Sequence, residues 1–111
     1  NNYPLMVLKS EALWQEHNYD SADAVLTALS RMRAQDPMIW YRLAEVRGLA
    51  GNISGLHQAR AEYFILIGVF DMARDQLGLA AKLARSDFKQ SAIISQRLRD
   101  LAEMEDRAEK L

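Results

Sequence analysis

The chain has 111 residues, 50% of them hydrophobic and 26% charged, which excludes a disordered chain and suffices for the core of one ordinary domain spanning residues 1–111. Its net charge of −1 lacks the basic excess that phosphate neutralisation needs, which argues against nucleic acid as a partner. The absence of cysteine excludes disulfides, thiolate nucleophiles and Cys-ligated zinc, and the longest apolar stretch, Tyr63 to Phe70, is far short of the ~20 residues of a membrane span.

Between punctuated breaks the apolar residues fall at helical spacing, and no segment alternates with period two for long enough to make a strand. The first predicted helix covers 4–17 and the second 20–34, the latter with Ala22, Val25, Leu26, Leu29 and Met32 on one face. The third, 37–50, opens with Asp36-Pro37, an N-cap acceptor followed by a residue preset for the first turn, and carries Trp40, Leu43, Ala44 and Val46. Gly48, Gly51 and Gly55 cluster at the next break, before a helix over 54–67 with Leu56, Ala59, Tyr63, Leu66 and Ile67. Gly68 marks another break, then helix 70–84 places Ala73, Leu77, Ala80 and Ala84 together. The last helix, 87–110, is the longest, with Ile94, Leu98, Leu101, Met104, Ala108 and Leu111 in line and charges at its exposed positions.

The breaks themselves repeat. His17-Asn18-Tyr19-Asp20, Gly51-Asn52-Ile53-Ser54 and Gly68-Val69-Phe70-Asp71 each hold a turn-former, a hydrophobic residue, then an Asp or Ser able to cap the next helix. From Tyr19 to Ile53 is 34 residues, and from Ile53 to Phe70 is 17. Thirty-four is the tetratricopeptide (TPR) period, two helices of about half that each. Pro37, Trp40, Leu43, Ala44 and Gly51 resemble one TPR unit, and Gly68, Phe70, Asp71, Ala73, Leu77 and Ala80 resemble the turn and second helix of another. Leu56 departs from the pattern, which has Ala there, so an altered helix crossing is expected beside Gly55. The expected class is all-α: a TPR-like, right-handed helical-hairpin solenoid of about six helices with a long C-terminal capping helix.

A narrower resemblance covers residues 58–92, QARAEYFILIGVFDMARDQLGLAAKLARSDFKQSA, followed by RLRDL at 97–101. This stretch resembles the C-terminal end of the periplasmic zinc metallopeptidases that carry a TPR tail and assist outer-membrane β-barrel assembly. The first half is similar only to TPR units in general. The resemblance implies a periplasmic location, a protease domain upstream, and a tail that recruits substrate or outer-membrane assembly proteins. The start at Asn1-Asn2, without a signal peptide, fits the expectation of a fragment of something longer.

The zinc motif H-E-x-x-H is not in this chain: His17 is followed by Asn18 and His57 by Gln58. Zinc is therefore expected only in the upstream domain, and no catalytic, cofactor or metal residue is assigned here. Glu103, Glu105, Asp106 and Glu109 read as a solvated face with helical pairs such as Glu103–Arg107.

In a TPR the first helix of each unit lines a concave groove. Aligning on Trp40 puts Met38, Tyr41, Glu45, Gly48 and Leu49 there, with Val7, Glu11, Trp14 and Gln15 from the preceding unit and Gln58, Glu62, Ile65 and Leu66 from the following one. The candidate protein-binding residues are Glu11, Trp14, Tyr41, Glu45 and Glu62, an aromatic and acidic surface suited to a peptide with apolar anchors. The alternative is that Trp14 and Tyr41 pack between helices. At the level of the whole chain, a stand-alone TPR adaptor unrelated to any protease is the competing expectation. The outer face of helix 4–17 is expected to stack on an earlier repeat or on a second copy as a dimer.

Overall fold

In the computed structural model, which describes residues 3–111, the chain forms six helices and, among the described residues, no strand. They are α1 (Tyr3–Gln15), α2 (Tyr19–Met32), α3 (Pro37–Leu49), α4 (Ile53–Leu66), α5 (Phe70–Leu83) and α6 (Phe88–Glu109). Asn1 and Asn2, on which the expectation of a truncated start rests, lie outside the described residues.

Three of the turns close in one way, and this explains why the helices end sooner than the spacing predicts. His17 (φ 59), Gly51 (φ 84) and Gly68 (φ 79) all take the left-handed conformation that stops a helix. In the first turn the His17 amide donates to Trp14 (2.9 Å) and Asn18 to Leu13 (2.8 Å). In the second, Gly51 donates to Gly48 (3.1 Å) and Asn52 to Arg47 (2.8 Å); in the third, Gly68 to Ile65 (3.1 Å) and Val69 to Phe64 (2.9 Å). Each pair is a Schellman motif, which satisfies two of the carbonyls a helix leaves open at its end. His17 carries a steric cost of about 1 kcal/mol that glycine would avoid, and its ring stacks on Tyr19 at 5.8 Å.

The capping expectation for these turns is corrected. Helices α2, α4 and α5 begin on the hydrophobic residues Tyr19, Ile53 and Phe70, so the N-cap positions are Asn18, Asn52 and Val69, and Asp20, Ser54 and Asp71 lie inside the first turn. Asn52 caps α4 instead, its side chain accepting from the Gly55 amide at 3.0 Å. Asp20 and Asp71 act through the dipole at the helix start, and the Ser54 hydroxyl donates to the Ala80 carbonyl of α5 at 3.3 Å.

The other two turns use aspartate. Asp36 accepts from the Met38 amide and Asp87 from the Gln90 amide, both at 3.0 Å, and Pro37 occupies the first position of α3 as the sequence predicts.

The helices stack as consecutive hairpins in a slab with extents of 43 × 35 × 19 Å. Two apolar clusters fill it. The first joins Ala22, Leu26 and Leu29 of α2 to Ile39, Leu43, Ala44 and Val46 of α3 and Ala59 of α4. The second joins Ala61 of α4 to Ala73, Leu77 and Ala80 of α5, Ala84 after it, and Ile94 and Leu101 of α6. Helix α4 is the shared wall, because Ala59 and Ala61 sit about 200° apart around its axis. Leu56, beside which an altered crossing is expected, packs against a glycine of α3. A Cβ on Gly48 would lie 2.7 Å from Leu56 Cδ1, so α3 gives up a side chain where α4 carries a large one.

Candidate functional site

Trp14 on α1 and Arg42 on α3 meet across the first interhelix gap, with the guanidinium carbon 5.3 Å from the ring centroid. Arg42 also approaches Glu11 at 3.8 Å, a half-exposed pair worth well under about 1 kcal/mol that serves mainly to hold the guanidinium over the ring. Glu11, Trp14, Gln15, Arg42 and Glu45 together line an open hollow of about 450 Å³.

One helical turn before Glu45, Tyr41 begins an aromatic ridge. Its ring centroid lies 5.6 Å from that of Tyr63 on α4, and Tyr63 meets Phe64 edge-on at 5.4 Å. Tyr41, Ala44, Glu45, Arg60, Tyr63 and Phe64 line a second hollow of about 180 Å³. Glu45 belongs to both, so the two form one surface across α1, α3 and α4. Among the described residues its carboxylate has no ion-pair partner.

The structure thus brings Glu11, Trp14, Tyr41 and Glu45 together and sets Glu62 apart. Glu62 accepts two hydrogen bonds from Arg97 of α6, from Nε and Nη2, each at 2.7 Å. Gln58 reaches Gln90 of α6 at 3.3 Å, and Ile65 packs into the second cluster. The physical reason is the back-to-back pairing of α4. It is a hairpin partner of both α3 and α5, so the face that a regular repeat would turn to the groove is here turned to α5 and α6. Arg60 and Tyr63 take that place, with Phe64 reaching the hollow from the edge of the second cluster. The surface is therefore mixed in charge, with Arg42 and Arg60 beside the two acids. The signal for Arg42 was its position one residue past Tyr41 and three before Glu45, on the outer side of α3.

Polar side chains elsewhere act as struts. Arg47 donates from Nε to Asp23 of α2 (3.1 Å) and from Nη1 to the Gly55 carbonyl (3.3 Å), and Asp23 accepts from Thr27 (2.9 Å). This network ties α2, α3 and α4 at one point. Arg97 is held above the ordinary guanidinium value first by its hydrogen bonds to Glu62, against the opposing effect of burial. Asp100 is held below the usual carboxylate range by hydrogen bonds from Gln96 and then Arg97. Glu103 pairs with Arg107 at 4.0 Å. Of the two histidines, His17 forms a turn and His57 bonds Gln76 through Nδ1 at 2.7 Å. No known protein family, curated protein or solved structure matches the chain.

Proposed function

We propose that this chain is the protein-binding, TPR-like module of a periplasmic zinc metallopeptidase, and that it holds substrate or outer-membrane assembly proteins while an upstream protease domain acts. The observation that carries the binding role is the continuous surface from Trp14 through Glu45 to Tyr63, with two hollows sharing one unpaired carboxylate. Aromatic rings give a peptide rigid apolar contacts at small entropic cost, and Glu45 gives it one charged anchor. The likeness of residues 58–92 to the tails of those peptidases supports the choice of parent. Tethering would raise the local concentration of a captured chain at the protease without any catalytic group in this module.

Fluorescence anisotropy with labelled peptides from outer-membrane β-barrel strands tests the surface. Tyr41→Ala combined with Glu45→Ala is expected to weaken binding about tenfold while leaving the helical circular dichroism intact, since both side chains are exposed. Unchanged affinity sinks the assignment of this surface. The parent is tested separately by reading the gene upstream for H-E-x-x-H behind a signal peptide.

A further inference from the structure

The turn between α5 and α6 gathers features that neither the packing of the helices nor the surface around Glu45 uses. Phe88, the first residue of α6, is 90% exposed, and Leu83, the last of α5, is 56% exposed. Within the same segment are Lys82, Arg85 and Lys89, all exposed and, among the described residues, without an ion-pair partner. Arg42, Arg47, Arg74, Arg97, Arg107 and Lys110 each have a carboxylate partner, and among the described residues Lys9, Arg31, Arg33, Arg60 and Arg99 also have none. What marks this turn is three such cations within one short segment beside two exposed apolar side chains. The one acid of the segment, Asp87, is engaged at the start of α6 by the Gln90 amide. The turn is also firmly built. The Asp87 amide and the Ser91 hydroxyl both donate to the Ala84 carbonyl, at 2.9 and 2.8 Å, and Ala84 itself is buried.

We propose that this turn rests on an anionic lipid surface, with Phe88 and Leu83 entering the boundary between headgroups and acyl chains and Lys82, Arg85 and Lys89 lying against the lipid phosphates. Charge complementarity selects an anionic occupant, because three cations face a single capped carboxylate in a chain of net charge −1. Shape selects a bilayer over a protein. Phe88 protrudes and lines none of the hollows described above, so a protein partner would have to bring a matching pocket, whereas a fluid interface takes up an isolated aromatic ring as it comes. The contact is peripheral: among the described residues no helix is long and apolar enough to cross a membrane.

The chain has no cysteine, so Ser86→Cys provides a single attachment point for a polarity-sensitive dye beside Phe88, and Ser95→Cys on the exposed side of α6 provides the control. On vesicles of equal phosphatidylglycerol and phosphatidylcholine, the dye at position 86 is expected to shift to the blue and the dye at 95 to stay unchanged. On phosphatidylcholine alone neither shifts. Phe88→Ser is expected to lower partitioning roughly tenfold, and Lys82→Gln with Lys89→Gln to lower it by roughly fivefold per cation. Both variants keep the wild-type thermal midpoint, because the side chains are exposed. No partitioning at millimolar anionic lipid overturns the proposal, as does equal partitioning onto phosphatidylcholine. Saturable binding of a polyglutamate peptide at this turn without vesicle binding also overturns it, and assigns the turn to an acidic protein segment.

Discussion

The two apolar clusters occupy successive stretches of one solenoid, yet they are assembled from different residues. Around α2 and α3 the core is bulky: Leu26, Leu29, Ile39, Leu43 and Val46 fill it, with Tyr3, Trp14, Tyr19 and Trp40 partly buried at its edge. Around α5 the fully buried residues are smaller on balance, with Ala61, Ala73, Ala80 and Ala84 allowing close approach and Leu77, Ile94 and Leu101 as the large members, while Phe64, Ile65, Phe70 and Leu98 pack partly buried at the edge. The ion pairs differ to match. Arg47–Asp23 reinforces helices that already share a large apolar contact. In contrast, α6 is fastened by Arg97–Glu62 and Arg74–Glu105 at points where its apolar contribution is limited to a few side chains. The lesson is that a solenoid can change its means of cohesion within two hairpins, because each helix answers only to its neighbours.

The largest expected effects test whether the two clusters unfold as one. Leu43→Ala and Leu101→Ala each empty a site buried to within 1% of completely, and each is expected to cost about 3 kcal/mol. Their consequences should differ. Leu43→Ala lowers the stability of every helix, whereas Leu101→Ala releases α6 first and raises amide hydrogen exchange there while α1–α3 keep their protection. Uniform acceleration across all six helices in both variants would show that the clusters form a single cooperative unit.

A smaller effect separates bulk from close approach. Ala73 is fully buried in α5, in the same cluster as Ala61 of α4. Ala73→Leu is expected to push the helices apart and cost about 2 kcal/mol, measured by urea unfolding. A neutral result would mean that the alanine-lined crossing has slack, and that its small residues are not what brings the helices together.

The polar fastening of α6 comes next. Arg97→Met leaves the Glu62 carboxylate, 20% exposed, without its two donors, and is expected to cost about 1–2 kcal/mol after allowance for solvent screening. Acid should act on the same joint. The Asp100 carboxyl is depressed when folded, chiefly by Gln96 and then Arg97. Its contribution is therefore present above the ordinary aspartate range and lost as pH falls through and below about 3.9. Asp100→Asn is expected to flatten that part of the pH profile of α6 exchange, while a profile identical to wild type would remove Asp100 from the account.

Much of this architecture was legible because glycine, proline and helical period speak locally. Gly51, Gly68 and Pro37 located the breaks, and the 34-residue and 17-residue steps between the hydrophobic turn residues ordered the hairpins. Two things were not legible. The left-handed turn at His17 carries no glycine signal, so helical spacing alone runs α1 on to residue 17, beyond its end at Gln15. The orientation of α4 depends on which neighbour it faces at each position, and no local pattern encodes that. Repeat spacing accordingly puts Glu62 on the groove although it belongs to the α6 joint, and the same spacing passes over Arg42, Arg60 and Tyr63. Glu11, Trp14, Tyr41 and Glu45 do come together, because α1 and α3 turn these positions to one side of the stack.

The smallest effect concerns the two glycines inside helices α3 and α5, and it sharpens the contrast between the regions. Gly78 lies in mid-α5 with nothing within 4 Å of where a Cβ would stand, so Gly78→Ala is expected to stabilise by about 0.5–1 kcal/mol through helix propensity alone. Gly48 in α3 has Leu56 Cδ1 at 2.7 Å from that position, so the same propensity gain is opposed by the displacement of a side chain that the first cluster uses. Thermal unfolding of the two Gly→Ala variants should therefore move the midpoint upward for position 78 and leave it level or lower for position 48. In a Leu56→Ala background the clash is gone, so adding Gly48→Ala should raise the midpoint relative to Leu56→Ala alone, since the missing Cβ and the large leucine are two halves of one packing solution. Equal stabilisation at both positions would mean that Leu56 turns aside freely, and that its fit against α3 contributes nothing to the crossing.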